Sequence, residues 1–322
     1  MQDEKNKAPG NTVSILADGC VLSGADETSG FPARIARYTR AKQQALVMRE
    51  YLEGETAPNA VKARAGLASC AEYLHFREYF TVGKIRLHSA SFCKQHLICP
   101  MCAIRRGAKA LQAYLARYEV IQEERPDLQP FLITFTVKNG PDLEERHQHL
   151  VKSIKTLLAR RRRFDSGSRG APWTELCNAE AAVYSYELTQ KGRGWHPHLH
   201  MVALCSKAPS QAALKAEWES ITRDSFMVDV RPFNASQEPV EAFMEVFKYA
   251  VKFSDLSPAD NWHAAQIFKG KRLLGSFGLF RGVDVPEELT DTPLDDLPYV
   301  DRFYRFLQGN YQFSGESPRS SS

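Results

Sequence analysis

The stretch Ala181-Ala-Val-Tyr184-Ser185-Tyr186-Glu187-Leu-Thr189-Gln190-Lys191-Gly192-Arg193-Gly194-Trp195-His196-Pro197-His198-Leu199-His200-Met201-Val-Ala-Leu204 reads as two strands joined by a glycine turn. Side chains alternate faces along a strand, so His196, His198 and His200 share one face while Pro197, Leu199 and Met201 share the other. The chain has nine histidines in 322 residues. Three in alternate positions, backed by a buried face, point to a metal platform. Pro197 places this strand near a sheet edge or a strand start. A hairpin centred between Gly192 and Arg193 sets Glu187 directly opposite His198, with Cβ atoms about 4.5–5.5 Å apart. Glu187 is therefore a candidate third ligand, and a register slip of one residue would remove it.

Working outward, Phe131-Leu-Ile-Thr134-Phe-Thr136-Val-Lys-Asn139-Gly140 alternates cleanly and ends in a turn, as a strand does. Asp142 then caps a helix, with Glu145 as its capping-box partner. Leu143, His147, Leu150, Val151, Ile154, Leu157 and Leu158 form the buried stripe. The helix ends in Arg160-Arg161-Arg162-Arg163, more positive charge than the macrodipole requires, which suggests contact with a DNA backbone. Downstream come a helix over 211–222, a strand over 226–232 and a helix over 238–252. The order β-α-β-β-α-β-α describes an α+β domain. Its first six elements have the ferredoxin-like, split-βαβ order, an antiparallel sheet with helices on one face. Trp262–Leu279 reads as a hairpin carrying Lys269, Lys271 and Arg272, residues 282–298 as an acidic, proline-dotted connection, and Tyr299–Leu307 as a short helix. The serine-rich end reads as disordered.

Composition narrows the class. Hydrophobic residues make up 43% and charged residues 25%, as in ordinary soluble proteins, and the net charge of +4 comes with clustered basic residues that suit a polyanionic partner. No apolar run is long enough to span a membrane and the N-terminus lacks a signal-peptide core, so a cytoplasmic location is expected. Seven cysteines, an odd number, argue against a secreted disulfide scaffold. Cys99-Pro-Met-Cys102 has the form of half a zinc knuckle, Cys93 supplies a third thiolate, and either Cys70 or His96 completes the set. Cys70 would return across a turn at Gly83 between strand-like segments Tyr73–Phe80 and Lys84–His88. Arg105, Arg106 and Lys109 open the next helix, either as a solvated face or as phosphate contacts. The expected organisation is a disordered leader over 1–35, a helical and cysteine-rich zinc-binding module over 36–125, an enzymatic domain over 126–280 and a partly disordered tail over 281–322.

In the helix over 238–252, Val240, Phe243, Met244, Phe247 and Val251 form an apolar stripe. Glu245, Tyr249 and Lys252 cluster on the polar face at spacings of four and three. A carboxylate, a phenol and an ammonium held together suit phosphoryl transfer: tyrosine can attack phosphorus, lysine can lower the phenol pKa or grip phosphate, and glutamate can activate water.

Together these motifs resemble the rolling-circle replication initiators of small bacterial plasmids, within the HUH endonuclease superfamily. Phe131-x-Thr-x-Thr-x-x-Asn139 looks like their first motif, His196-Pro-His198-Leu-His200 their metal-binding motif, and Tyr249-Ala-Val-Lys252 their nucleophile motif. Glu245, four residues before the tyrosine, matches the sub-family in which glutamate replaces a second tyrosine. The segment from Cys70 to Cys102 resembles their cysteine-rich region. The resemblance covers residues 65–255 and implies an RRM-like HUH nuclease domain. It implies a Mg²⁺ or Mn²⁺ ion on His198, His200 and Glu187, with His196 as a further candidate, and structural Zn²⁺ at the cysteines. Tyr249 would nick single-stranded origin DNA through a 5′-phosphotyrosine, Glu245 would direct water at termination, and Lys252 would position Tyr249 or the phosphate. Double-stranded origin DNA, a host helicase and a polymerase are the implied partners. A transposase or a mobilisation relaxase shares the motifs, and a non-catalytic zinc-dependent DNA-binding regulator could retain the fold.

Overall fold

In the computed structural model, residues 27–190, 192, 194–233, 239–247, 255–294 and 297–317 are described. The central hairpin forms in the expected register. Strand β4 (Ala179–Gln190) pairs antiparallel with β5 (Trp195–Cys205), and Glu187 faces His198. Strand β3 (Gln129–Thr136) lies on the other side of β5, β6 (Val228–Pro232) pairs with β3, and β7 (Leu274–Gly278) pairs with β4. The five-stranded sheet has the order β6-β3-β5-β4-β7 with every pair antiparallel. The first four strands of this sheet, β3 to β6, thus occupy the order fourth, first, third, second.

Helices α4 (Leu143–Asp165) and α5 (Gln211–Thr222) pack on one face of this sheet, as their apolar stripes require. Trp218 of α5 is fully buried, lies 5.0 Å from Phe135 and donates its indole N–H to the Thr136 carbonyl at 2.8 Å. Truncating such a side chain costs about 3–5 kcal/mol. Asp142 caps α4 by accepting the Glu145 backbone N–H at 3.0 Å. The reciprocal half of the expected capping box is absent among the described residues: the Glu145 carboxylate accepts from Arg146 instead. On the other sheet face, Phe243 and Phe247 of α6 (Pro239–Phe247) pack at 5.4 and 5.3 Å against Tyr118 and Tyr114 of α3 (Pro100–Glu124).

Two compact units result. One comprises residues 1–110, 253–262 and 286–322, the other residues 111–252 and 263–285. The first unit has its own four-stranded antiparallel sheet, β2-β1-β8-β9, from β1 (Tyr73–Tyr79), β2 (Lys84–Ala90), β8 (Val300–Leu307) and β9 (Asn310–Glu316). The turn at Gly83 between β1 and β2 is as expected, and its φ of 61° favours glycine. Three local expectations fail. Tyr299–Leu307 is not a helix but strand β8, held by β1 on one side and β9 on the other. Trp262–Leu279 is not a hairpin: α7 (Pro258–Phe268), capped by the Ser257 hydroxyl accepting the Asp260 N–H, precedes the single strand β7. Helix α1 begins at Glu27, inside the expected disordered leader, and ends at Tyr51; α2 follows over Pro58–Ser69. Residues 1–26 and 318–322 lie outside the described residues.

The early start of α1 has a physical reason. Phe31 is buried against Phe76 and Tyr304, at 4.9 and 5.7 Å between ring centroids. Arg34 pairs with Asp291 at 2.6 Å, and Arg105 pairs with the other oxygen of the same carboxylate and with the Tyr38 hydroxyl. Burial alone would raise the Asp291 pKa; Arg105 and Arg34 together hold it far below the usual carboxylate range. Arg105 and Lys109 are thus buried, neither a solvated face nor phosphate contacts, and Arg106 alone of the three is exposed.

Candidate metal centres and active site

Within the second unit, Glu187, His198 and His200 bring three ligand atoms into one group. Glu187 Oε1 lies 3.2 Å from His198 Nε2, and Oε2 lies 3.6 Å from His200 Nε2. Ligands bonded at about 2.1 Å to a common cation, at octahedral to tetrahedral angles, stand roughly 3.0–3.4 Å apart; the 3.2 Å pair has that spacing and the 3.6 Å pair is slightly wider. Glu187 is 3% and His198 9% exposed, a burial that an ionised carboxylate tolerates only with a compensating positive charge.

The imidazoles are oriented by their other nitrogens. The Nδ1 of His198 donates to the His196 carbonyl at 3.2 Å, which leaves Nε2 as the atom that would meet a cation. The Nδ1 of His200 lies 3.0 Å from the Thr134 hydroxyl, in the residue directly across from it on β3. Such partners fix ring orientation and ligand basicity. Alternation does put His196 on the same strand face, but its ring centroid lies 5.4 Å from that of His198, and it stands outside the three-residue group. To His198 it contributes its carbonyl.

The start of β5 is held by Gly194. Its φ is 93°, and a Cβ there would lie 2.5 Å from the Gly140 carbonyl oxygen. That close approach allows paired hydrogen bonds between Trp195 and Gly140, at 2.8 and 3.1 Å, tying the histidine strand to the chain that leaves β3.

Helix α6 is fixed on the metal-competent face. The fully buried Ser185 shares a face with Glu187, lies directly opposite His200 and donates to the Val246 carbonyl at 2.5 Å. Glu245 is the adjacent residue on that helix and is half-buried. Tyr249 and Lys252 lie outside the described residues. Sequence reasoning does not single out Thr134 or Ser185 for these roles. Their cross-strand positions to His200 are the signal that could find them, since residues directly opposite on β3 and β4 must share its face.

The second centre is in the first unit. Cys70, Cys93, Cys99 and Cys102 converge, with sulfur separations of 3.6 Å from Cys102 to Cys70 and to Cys93 and 3.5 Å from Cys99 to Cys70. These are far longer than a disulfide. Four thiolates bonded at about 2.3 Å round a tetrahedral ion stand about 3.8 Å apart, so the donor set fits a metal ion. The fourth donor is Cys70; His96 is outside the group, and burial followed by the nearby Arg106 lowers its pKa.

Local structure assembles these donors. Cys70 ends α2, Cys93 follows β2, and Cys99 and Cys102 flank the start of α3, where Pro100 is tolerated at the first helical position. Gly66 admits the loop, because a Cβ there would lie 2.3 Å from Gln95 Nε2 and 3.1 Å from Cys93 Cβ. Without a cation the thiols cannot ionise together: hydrogen bonds from Cys102 and then Cys93 push Cys70 down, while Cys102 and Cys99 are raised. The buried Lys42 ammonium donates to the Leu67, Ala68 and Cys70 carbonyls at 3.2, 2.7 and 2.7 Å, placing positive charge beside the cluster and at the α2 C-terminus.

The expected arginine run divides by role. Arg161 donates to the Leu176 and Ala179 carbonyls at 3.0 and 2.8 Å and stacks on Phe277, whereas Arg162 and Arg163 are exposed.

Residues 84–302, roughly two-thirds of the chain, match the family model described as Replication protein. This chain belongs to the replication-protein family. The match spans both metal-competent groups except Cys70. Two relatives carry the description Protein rep. One, from a Bacillus species, is 26% identical over 288 residues, covering 78% of this chain and 89% of the relative. The other, from Bacillus amyloliquefaciens, is 24% identical over 300 residues, covering 81% and 84%. No solved structure matches the chain. Membership of the replication-protein family agrees with the resemblance of the motifs to plasmid rolling-circle initiators. Among the described residues no helix is long and apolar enough to cross a membrane.

Proposed function

We propose that this replication protein starts and ends rolling-circle replication of a plasmid by metal-dependent nicking of single-stranded origin DNA. The strand order fourth-first-third-second, with α4 and α5 on one face, supports a ferredoxin-like HUH domain. The observation that carries the reading is the convergence of Glu187, His198 and His200 beside the helix that bears Glu245. Glu187, His198 and His200 would hold a divalent cation, Mg²⁺ or Mn²⁺, which supplies Lewis-acid polarisation of the scissile phosphate. Cys70, Cys93, Cys99 and Cys102 would hold a structural Zn²⁺.

Around these centres the chain's own groups act. The Tyr249 oxygen attacks phosphorus, the bond from phosphorus to the 3′ oxygen breaks, and that oxygen takes up a proton as a free 3′-OH. The product is a 5′-phosphotyrosyl link and a primer end for a host polymerase, with a host helicase opening the duplex. At termination Glu245 takes a proton from water, the water oxygen attacks phosphorus at the regenerated junction, and the bond from phosphorus to the 3′ oxygen breaks. That oxygen takes up a proton, leaving a free 3′-OH and a 5′-phosphate without a second covalent link. Lys252 holds Tyr249 or the phosphate in position. His196 orients His198 through its carbonyl and is not needed as a ligand. The exposed Arg162 and Arg163 contact DNA phosphates, so affinity falls as salt rises.

Incubating the protein with a labelled single-stranded origin oligonucleotide and Mn²⁺ tests this. Wild type should give a cleaved product and a denaturation-resistant protein–DNA adduct, and Tyr249→Phe should give neither. An adduct that survives Tyr249→Phe overturns the nucleophile. Binding without cleavage by wild type favours a regulator.

A further inference from the structure

The face of the five-stranded sheet opposite the metal-competent group carries a cavity that the nicking reaction does not use. Its volume is about 990 Å³, and it opens between α4, β4 and β7, wholly within the second unit. Tyr184 and Tyr186 rise from β4 into it. Being one residue out of phase with Ser185 and Glu187, they point away from the metal group. Their rings meet at 90° with centroids 6.1 Å apart, forming a corner.

The corner is built around a missing side chain. Gly275 lies opposite Tyr184 on β7, and a Cβ there would fall 2.4 Å from the Tyr184 ring and 2.5 Å from its hydroxyl. Glycine lets the ring lie across the neighbouring strand. His147 of α4 closes the floor, edge-on to Tyr186 at 5.6 Å and to Phe268 at 4.6 Å. It is 5% exposed, and both ring nitrogens lack a hydrogen-bond partner among the described residues. A buried polar group in that condition is costly unless a ligand or water satisfies it.

The rim is strongly basic. Lys152, Lys155 and Arg162 come from α4, and Lys271 and Arg272 from the connection to β7; all five are exposed. Among the described lining residues one carboxylate, Glu144, stands with them, and Lys271 pairs with it at 3.3 Å. Cations alone would suit any polyanion, including a duplex. Aromatic faces and a neutral imidazole, with one donor and one acceptor, are of use only to a ligand that exposes its bases.

We propose that this cavity is a second DNA site, which seats an unpaired base against Tyr184 and Tyr186 while Lys152, Lys155, Arg162, Lys271 and Arg272 hold the flanking phosphates. The inference rests on the reading of the chain as a DNA-binding initiator and adds a holding site on the far side of the sheet from the scissile phosphate. A strand held there stays bound while the other face cuts, which suits an enzyme that must retain one end of its product.

The test uses the full chain carrying His198→Ala, which removes nicking, and an oligothymidylate containing 5-iodouracil. Ultraviolet cross-linking followed by peptide mapping should place the base on Tyr184 or Tyr186. Tyr184→Ala should weaken single-strand binding roughly 5- to 150-fold, whereas Tyr184→Phe, which keeps the ring, should bind as the parent does. Replacing Lys152, Lys155 and Arg162 by Gln, all exposed, should flatten the log–log salt dependence by about 2. Cross-links confined to other segments, equal loss in the Phe and Ala variants, or a salt slope unchanged by the triple replacement would overturn the proposal. Wild-type cleavage separates it from the nicking reading: cleavage without the cross-link sinks the pocket alone, and the cross-link without cleavage sinks nicking alone.

Discussion

The two metal-competent groups are built from opposite chemistry. The cysteine group takes four soft donors from the end of α2, the loop after β2 and the start of α3, and three of them are fully buried. Tetrahedral thiolate sets of this kind have no position left for substrate. The Glu187–His198–His200 group offers three harder donors on two paired strands, with His200 half-buried. Three protein donors leave positions open for a phosphate oxygen and water. One group would close on an ion and tie segments together; the other would hold an ion on a rigid sheet and leave it a free side. The contrast teaches that donor count and softness, read with burial, distinguish a closed donor set from one with open positions within the same chain.

The largest effect expected from breaking this contrast is on the cysteine side. Cys99→Ser should abolish one zinc per chain and the cooperative melting of the first unit, because binding energy of about 10–16 kcal/mol at such sites is folding energy. Metal analysis with calorimetry checks it, and unchanged zinc stoichiometry would refute the assignment. On the histidine side, His200 keeps its place through Thr134, so Thr134→Val should weaken Mn²⁺ binding by about 10- to 100-fold while leaving zinc content unchanged. Calorimetric titration reads this, and unaltered affinity would show that the hydroxyl does not matter.

A smaller effect sharpens the comparison from outside both groups. Burial, followed by the nearby Lys271, lowers the His147 pKa to about 4. The unfolded chain takes up a proton there near pH 6.5, whereas the folded chain resists until about pH 4. The contribution is fully present above pH 6.5 and is lost as pH falls through that window, amounting to about 3 kcal/mol at most. His147→Phe should flatten that part of the stability profile in denaturant titrations. A profile unchanged by the substitution would assign the pH dependence to other groups.

Much of the metal-competent face is legible in the sequence because its information is local. Strict alternation in Trp195–Leu204 and a short turn fix which residues oppose one another, so register alone matches Glu187 to His198. The cysteine spacing likewise leaves only Cys70 or His96 for the fourth position. Elements whose partners are distant in sequence are harder to read. Val300–Leu307 forms a strand between its hairpin partner β9 and β1, the latter more than 200 residues earlier. Its aromatic and charged residues alone also suit a helix. Arg105 has the sequence context of a surface cation because its counter-charge, Asp291, lies far along the chain. Helix α7 does carry a readable cap, Ser257 followed three residues on by Asp260, but the basic turn after it reads as the bend of a hairpin.

Selective metal removal tests most directly whether the two groups hold ions that do separate work. Wild-type protein is treated briefly with a chelator that strips weakly bound divalent ions, assayed for cleavage of the single-stranded origin oligonucleotide, and analysed for zinc. Cleavage should vanish while one zinc per chain remains, and Mn²⁺ or Mg²⁺ should restore it, except in His198→Ala protein. Cleavage that persists without a divalent ion, or that returns only with zinc, would contradict the account.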